Sequence, residues 1–166
     1  MKVRKIALSD REAYRQLRAT LDIESSMWGA SPGERDSLGD YAGSQFDQVL
    51  CSARSAIFVA EEEGAVIGFL SLETSAWKSL SCTTTLMVGV LSSHQGKGVS
   101  SQLFECSQRW ASNEGIHRIE LLVLVNNVSA IRLYKKLGYA QEGIRKESSY
   151  LGGKFVDEIF MAKLLQ

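Results

Sequence analysis

The sequence predicts an α/β fold in which one open, twisted sheet carries helices on both faces. Three observations lead there. An apolar run entering VGVLSSHQGKGVS at 88–100 passes through a glycine-flanked turn into an amphipathic helix and then a second apolar strand, a strand–turn–helix–strand arrangement. Short strand-like runs separated by glycine turns lie on both sides of that segment. Two further stretches have helical spacing. With 166 residues, 45% of them apolar and 23% charged, the chain can bury one real core, so 1–166 is read as a single domain.

The elements follow in order. A first strand precedes a first helix, where Ser9-Asp10-Arg11-Glu12 has capping-box form and Ala13, Leu17 and Leu21 make a stripe. Residues 22–39 mix glycines, serines and acids with the only proline, Pro32, and predict a loop carrying Met27 and Trp28. Ala42, Phe46, Val49, Leu50 and Ala53 set out a second helix. The runs 56–60 and 66–72 form a hairpin around Glu63-Gly64, and another strand starts near Thr83. After the glycine turn, Val99, Leu103, Cys106 and Trp110 recur at helical spacing until Asn113-Glu114-Gly115 stops the helix. Residues 119–125, IELLVLV, lack clean alternation and read as a central strand covered on both faces. Asn127 can cap the next helix by accepting from the N–H of Ser129 or Ala130, and Gly138 closes it. Ala130, Tyr134 and Leu137 share one face of that helix, leaving Lys135 and Lys136 to solvent. Gly152-Gly153, between 144–151 and 154–164, signals a last hairpin.

Nineteen basic residues balance nineteen acidic ones, so no global field recruits nucleic acid or an anionic membrane. No apolar run reaches membrane-spanning length, and Met1-Lys2-Val3-Arg4 leads into a charged segment unlike a signal peptide, so a cytoplasmic protein is expected. Cys51, Cys82 and Cys106 are odd in number and lack metal-type spacing, which argues against a disulfide framework or a metal site. His94 and His117 read as surface histidines. Exposed sheet edges allow a homodimer without specifying one.

Gln95, Gly96, Lys97 and Gly98 free the backbone of bulky side chains where a helix begins, so several N–H groups can converge on a phosphate. A P-loop is excluded because no Gly-Lys-Ser/Thr occurs. A dinucleotide fingerprint has Ser101 in place of its third glycine, and Glu120 starts the second strand where an acid should end it. The third reading uses NVSAIRLYKKLGY at 127–139. Together the two segments resemble the GNAT superfamily of acetyl-CoA-dependent N-acetyltransferases. Gln95, Gly98 and Ser100 match its Arg/Gln-x-x-Gly-x-Gly/Ala segment with serine in the last place. Asn127, Ala130, Leu133, Tyr134, Gly138 and Tyr139 match every position of its Asn-x-x-Ala-x-x-Leu-Tyr-x-x-x-Gly-Phe/Tyr segment.

The resemblance implies a mixed, mostly antiparallel sheet of about six or seven strands. It also implies acetyl-CoA as cosubstrate and a primary amine of a small molecule or a peptide N-terminus as acceptor. The backbone of Val88, Gly89 and Val90 would pair with the pantetheine arm, with Gly89 alternatively a bulge glycine. The N–H groups of Gln95, Gly96, Lys97, Gly98, Val99, Ser100 and Ser101 would hold the pyrophosphate. Asn127 would bond the cofactor or only cap its helix, and Tyr134 would be general acid to the departing thiolate. Many members carry a glutamate on the strand before the glycine turn, and 83–87 has none. Glu73 either faces the cleft and activates the amine through water or stands exposed at a strand end. The acceptor would lie between residues 22–39 and the turn near Tyr150 to Lys154, with Met27, Trp28 and Tyr150 as an apolar wall and Asp22, Glu24, Glu34 or Asp36 attracting a cation. A non-catalytic acyl-CoA-binding module is the alternative.

Overall fold

A computed structural model describes residues 1–24 and 40–165. Its elements are β1 (Lys2–Lys5), α1 (Arg11–Glu24), α2 (Tyr41–Cys51), β2 (Ala56–Glu62), β3 (Ala65–Thr74), β4 (Thr83–Val90), α3 (Val99–Asn113), β5 (Arg118–Leu124), α4 (Val128–Lys136), β6 (Ala140–Leu151) and β7 (Lys154–Leu164). The strands form one seven-stranded sheet in the order β1-β2-β3-β4-β5-β7-β6. Only the β4–β5 pair is parallel. The mixed, mostly antiparallel sheet agrees with expectation.

Local chemistry explains most boundaries. Glu63 (φ 51°) and Gly64 (φ 82°) both adopt the positive φ of a tight two-residue hairpin turn between β2 and β3. Helix α3 ends where expected, with Gly115 N–H bonded to Ser112 C=O at 3.1 Å and Ile116 N–H to Ala111 C=O at 2.9 Å, the paired bonds of a Schellman motif. The start of α1 differs from expectation. Ser9 lies inside a short 3-10 turn, Leu8–Asp10. Asp10 takes the structural role instead, accepting from Ala7 N–H at 2.7 Å and from both terminal nitrogens of Arg4 at 2.6 and 3.0 Å. A carboxylate facing an arginine gains charge-assisted bonds that a serine hydroxyl cannot make. Helix α1 also continues through residues 22–24, which the sequence assigned to a loop. Met27, Trp28, Pro32, Glu34 and Asp36 lie outside the described residues.

Because side chains alternate along a strand, β2, β3 and β4 feed two cores, one on each face of the sheet. On one face Tyr14, Leu17, Leu21, Phe46 and Val49 from α1 and α2 pack on Ile57, Val59 and Phe69. On the other, Leu103, Phe104 and Tyr134 from α3 and α4 pack on Leu70, Leu72, Leu86, Ile119, Leu121 and Met161. The expectation that β5 is covered on both faces fails at Leu122, which is 40% exposed. Ile119, Leu121 and Val123 turn toward α3 and α4, while α1 and α2 lie over β2 and β3. No helix among the described residues is long and apolar enough to cross a membrane.

Candidate active site

The parallel pairing of β4 with β5 covers only Thr83↔Arg118, Thr84↔Ile119 and Thr85↔Glu120. Beyond Thr85 the strands part, β5 continuing against β7 and β4 against β3. A cleft therefore opens between β4 and β5, narrow at Thr85 and wide at their C-terminal ends.

The ladder decides which backbone groups face it. Leu91 N–H donates to Ile67 C=O at 3.0 Å, which makes Val90↔Gly68 a non-hydrogen-bonded pair. By alternation, the N–H and C=O of Val88 and Val90 point away from β3 into the cleft, and those of Gly89 point toward β3. The register against β3 has no shift from Gly68↔Val90 to Thr74↔Thr84. The unbroken register leaves no bulge at Gly89, and of the three residues Val88 and Val90 turn their backbone groups toward the cleft.

Past the mouth of the cleft the chain makes a 3-10 turn, Ser92–His94, and enters α3 through Gly96 (φ 73°) and Gly98 (φ 82°). Gly98 is the N-cap and offers no side-chain acceptor to the helix. Since the first helical bond runs from Gln102 N–H to Gly98 C=O at 3.2 Å, the N–H groups of Val99, Ser100 and Ser101 have no intrahelical partner. Gly96 and Gly98 leave open space, because a Cβ at either would meet nothing within 4 Å. Lys97 and Ser101 are exposed, Ser100 is half-buried and Val99 is anchored in the core at 3% exposure. Gln95 acts differently from expectation. Its N–H closes on Ser92 C=O at 3.3 Å and its side-chain amide donates to Val90 C=O at 3.1 Å, so it braces the turn from within. His94 also has partners, with Nδ1 2.8 Å from Ser93 Oγ and Nε2 3.3 Å from Glu62. An open anion cradle followed by a strand edge that no other strand covers, with Val90 C=O alone taken by Gln95, fits a diphosphate joined to an amide-bearing arm.

Helix α4 begins as the sequence predicts, with Asn127 Oδ1 accepting from Ala130 N–H at 3.2 Å. It closes with Gly138 N–H on Lys135 C=O at 3.1 Å and Tyr139 N–H on Tyr134 C=O at 3.0 Å, again a Schellman pair. Tyr134 is 8% exposed, and its ring lies 5.9 Å from that of Phe104 and 6.0 Å from that of Tyr139. Burial pushes its hydroxyl up to about 12, and that hydroxyl donates to no group among the described residues. Tyr139, also buried, is raised for the same reason.

The GNAT family model describes acetyltransferases and matches residues 18–139. The chain belongs to that family. An L-amino acid N-acetyltransferase, AaaT of Escherichia coli (strain K12), is 32% identical over 110 residues, 64% of this chain and 66% of that relative. A GNAT acetyltransferase from Streptococcus pneumoniae superposes with a TM-score of 0.90 at 22% identity over 99% of both chains. A GNAT phosphinothricin acetyltransferase from Sinorhizobium meliloti, solved in complex with AcCoA, superposes with a TM-score of 0.85 at 17% identity over 99% of this chain and 88% of that one. The two structural likenesses speak for the fold.

Within this GNAT chain, polar groups near the cleft make bonds that the sequence did not signal, although Glu24 was expected to attract a cation and Glu73 to face the cleft or stand exposed at a strand end. Glu24, at the end of α1, accepts from Ser92 N–H at 2.8 Å and Ser92 Oγ at 3.0 Å, tying α1 to the segment before the phosphate turn. Arg18, 1% exposed, donates to Tyr14 Oη at 2.8 Å and to Gln45 Oε1. Gln45 Nε2 in turn donates to Glu73. The one available hint was an arginine on the same helical face as Leu17 and Leu21, where a hydrophobic residue would be ordinary. Tyr150 and Phe155, near the tip of the β6–β7 hairpin, meet edge to face with ring centroids 5.0 Å apart and are 63% and 65% exposed. No group of three metal-ligating side chains occurs among the described residues.

Proposed function

We propose that this protein is an acetyl-CoA-dependent N-acetyltransferase acting on a primary amine of a small molecule or a peptide N-terminus. The observation that carries the reading is a strand edge, at Val88 and Val90, left open by the parting of β4 from β5 and leading to a helix whose N-terminus has no cap.

Acetyl-CoA would supply an activated acetyl group as a thioester. The N–H groups of Val99, Ser100 and Ser101, with the Gly96–Gly98 turn and the α3 dipole, hold the diphosphate. Lys97 adds a mobile positive charge. Val88 and Val90 pair with the amide-bearing arm as an added strand would, and one of their outward N–H groups polarises the thioester carbonyl. The neutral amine attacks the carbonyl carbon directly, the C–S bond breaks as Tyr134 donates its proton to the departing sulfur, and the proton shed by the acylated nitrogen passes through solvent to restore the phenol. A phenol near 12 is a weak acid for a thiolate of ordinary basicity, about 8.5. Because desolvation raises any thiolate in the same pocket, the two affinities converge where the bond breaks. Asn127 keeps its capping role, with its amide nitrogen available to the cofactor.

Since AaaT is named for L-amino acids, free amino acids head the panel of acceptors, followed by polyamines and peptides. Calorimetric titration with acetyl-CoA tests the reading, with Gly98→Glu as control. Binding abolished by the variant, followed by thiol release with one of the amines, supports the enzyme. Binding without turnover on any amine supports a non-catalytic acyl-CoA module, which the lack of a carboxylate at 83–87 favours. Absence of binding by the folded protein removes both.

A further inference from the structure

The polar network between α1, α2 and β3 has no part in the mechanism above, yet it ends at the narrow end of the cleft. Glu73 pairs with Thr85 and Thr85 with Glu120, so these residues form a row across β3, β4 and β5 at the level where the strands part. Glu73 points to the same face as Phe69 and Ser71, toward α1 and α2. Next to it Thr85 is exposed, so Glu73 stands where the helical cover stops and the open face begins.

The phosphate turn lies beyond the C-terminal end of β4. A ligand anchored there and lying along Val90 and Val88 runs back toward Thr85, about 17 Å from Val90 along an extended strand. Its reactive end, if held at the outward N–H of Val88, is then three residues, about 10 Å, from Thr85 and directed toward the level of Glu73. Tyr134 belongs to the core on the opposite face, so the two faces offer different chemistry: a proton donor from the α3–α4 side and a carboxylate from the α1–α2 side.

The network fixes that carboxylate. Arg18 has only donors, so Gln45 must turn its carbonyl oxygen to Arg18 and Tyr14, at 3.3 Å from the Tyr14 hydroxyl. That orientation directs Gln45 Nε2 at Glu73 Oε1, which also takes a long contact from Ser71 Oγ at 3.5 Å. Glu73 Oε2 has no hydrogen-bond partner among the described residues. Glu120, on the far side of Thr85, is engaged by Arg118 Nε at 3.0 Å.

We infer that Glu73 is the receptor for the ammonium group of the acceptor, its Oε2 accepting an N–H from the substrate while Gln45, oriented by Arg18, holds Oε1. The inference rests on the acetyltransferase reading and deepens it. Glu73 need not keep the proton that the ammonium loses before attack; its task is to hold the nitrogen at the reactive end of the cofactor arm.

The test needs no knowledge of the acceptor. Two CoA thioethers, one ending in aminoethyl and one in propyl, have nearly the same shape and differ in a terminal ammonium. In calorimetric titrations the wild type should bind the aminoethyl form about tenfold more tightly or better, the effect of a hydrogen bond to a charged group. Glu73→Gln, which can still accept from Gln45, should bind propyl-CoA as the wild type does and lose the preference to within about twofold. Glu120→Gln should keep it. Equal binding of the two probes by the wild type overturns the proposal while leaving the cofactor site intact. A preference that survives in Glu73→Gln, or that disappears in Glu120→Gln alone, also overturns it. If neither probe binds, the cofactor reading fails and this inference with it. Thermal melts of both variants check that they fold.

Discussion

Tyr134 combines two properties that usually conflict: a polar group, and burial among Phe104 and Tyr139 without a hydrogen bond from its hydroxyl to any described residue. A phenol left in that state costs stability and is expected where it meets a ligand. Tyr134→Phe should lower kcat by about 10²- to 10⁴-fold, the usual worth of a positioned acid, with acetyl-CoA affinity unchanged by calorimetry. The pH profile gives a second check. Burial pushes the Tyr134 hydroxyl up to about 12, so its acid form persists throughout the ordinary assay range. Initial rates should rise with pH as the amine loses its proton and show no alkaline fall below about pH 10; a fall near neutrality would mean another acid. The tyrosine was legible from its place in 127–139. Glu73 was legible as either a cleft-facing carboxylate or an exposed residue at a strand end, and the sequence could not choose because its partner Gln45 lies 28 residues away and reaches it through packing alone.

At the scale of elements, helix ends carry much of the design. Asn127 and Gly138 bracket α4 as their positions suggest, since a cap and its stop depend on a few neighbouring residues. The α1 start escaped the same logic. Ser9 lies inside a 3-10 turn, and Asp10 reaches back to Ala7 N–H and to Arg4 on β1, a partner that no local pattern shows. The bonds from Arg4 hold the Asp10 carboxyl below its usual range against the opposing effect of burial, and the Ala7 N–H adds a smaller push in the same direction as Arg4. The folded state therefore binds the proton less readily than the unfolded chain. The stabilisation is complete above about pH 4, the unfolded value, and is lost as pH falls through the depressed folded one. Asp10→Ala should cost about 1–3 kcal/mol in urea unfolding at neutral pH, and the gap to wild type should narrow toward about pH 2. In the phosphate turn, Gly98→Glu combines a left-handed backbone with a carboxylate at a helix N-terminus. The backbone strain should cost about 1–2 kcal/mol and the charge should abolish acetyl-CoA binding, two losses that melting and calorimetry separate.

For the whole molecule, ligand binding should bridge two elements that the sheet leaves apart. Acetyl-CoA at about 100 times its dissociation constant should stabilise the wild type by about 2.7 kcal/mol, raising its melting temperature, and should leave Gly98→Glu unmoved. Strand, turn and helix signals, the glycine turn and the Asn127–Tyr139 segment were all readable because they rest on propensities and contacts within a few residues. So was the family, whose two segments are local patterns. The sequence by itself determined the type and order of the elements and that a glycine turn opens α3. Only the tertiary structure decided that β4 leaves β5 after Thr85, that Val88 and Val90 face the gap while Gly89 does not, and that Glu73 stands at its narrow end. Those outcomes depend on strand register and on which half of a face α1 and α2 cover, and register is set by pairings between distant segments that no local pattern encodes.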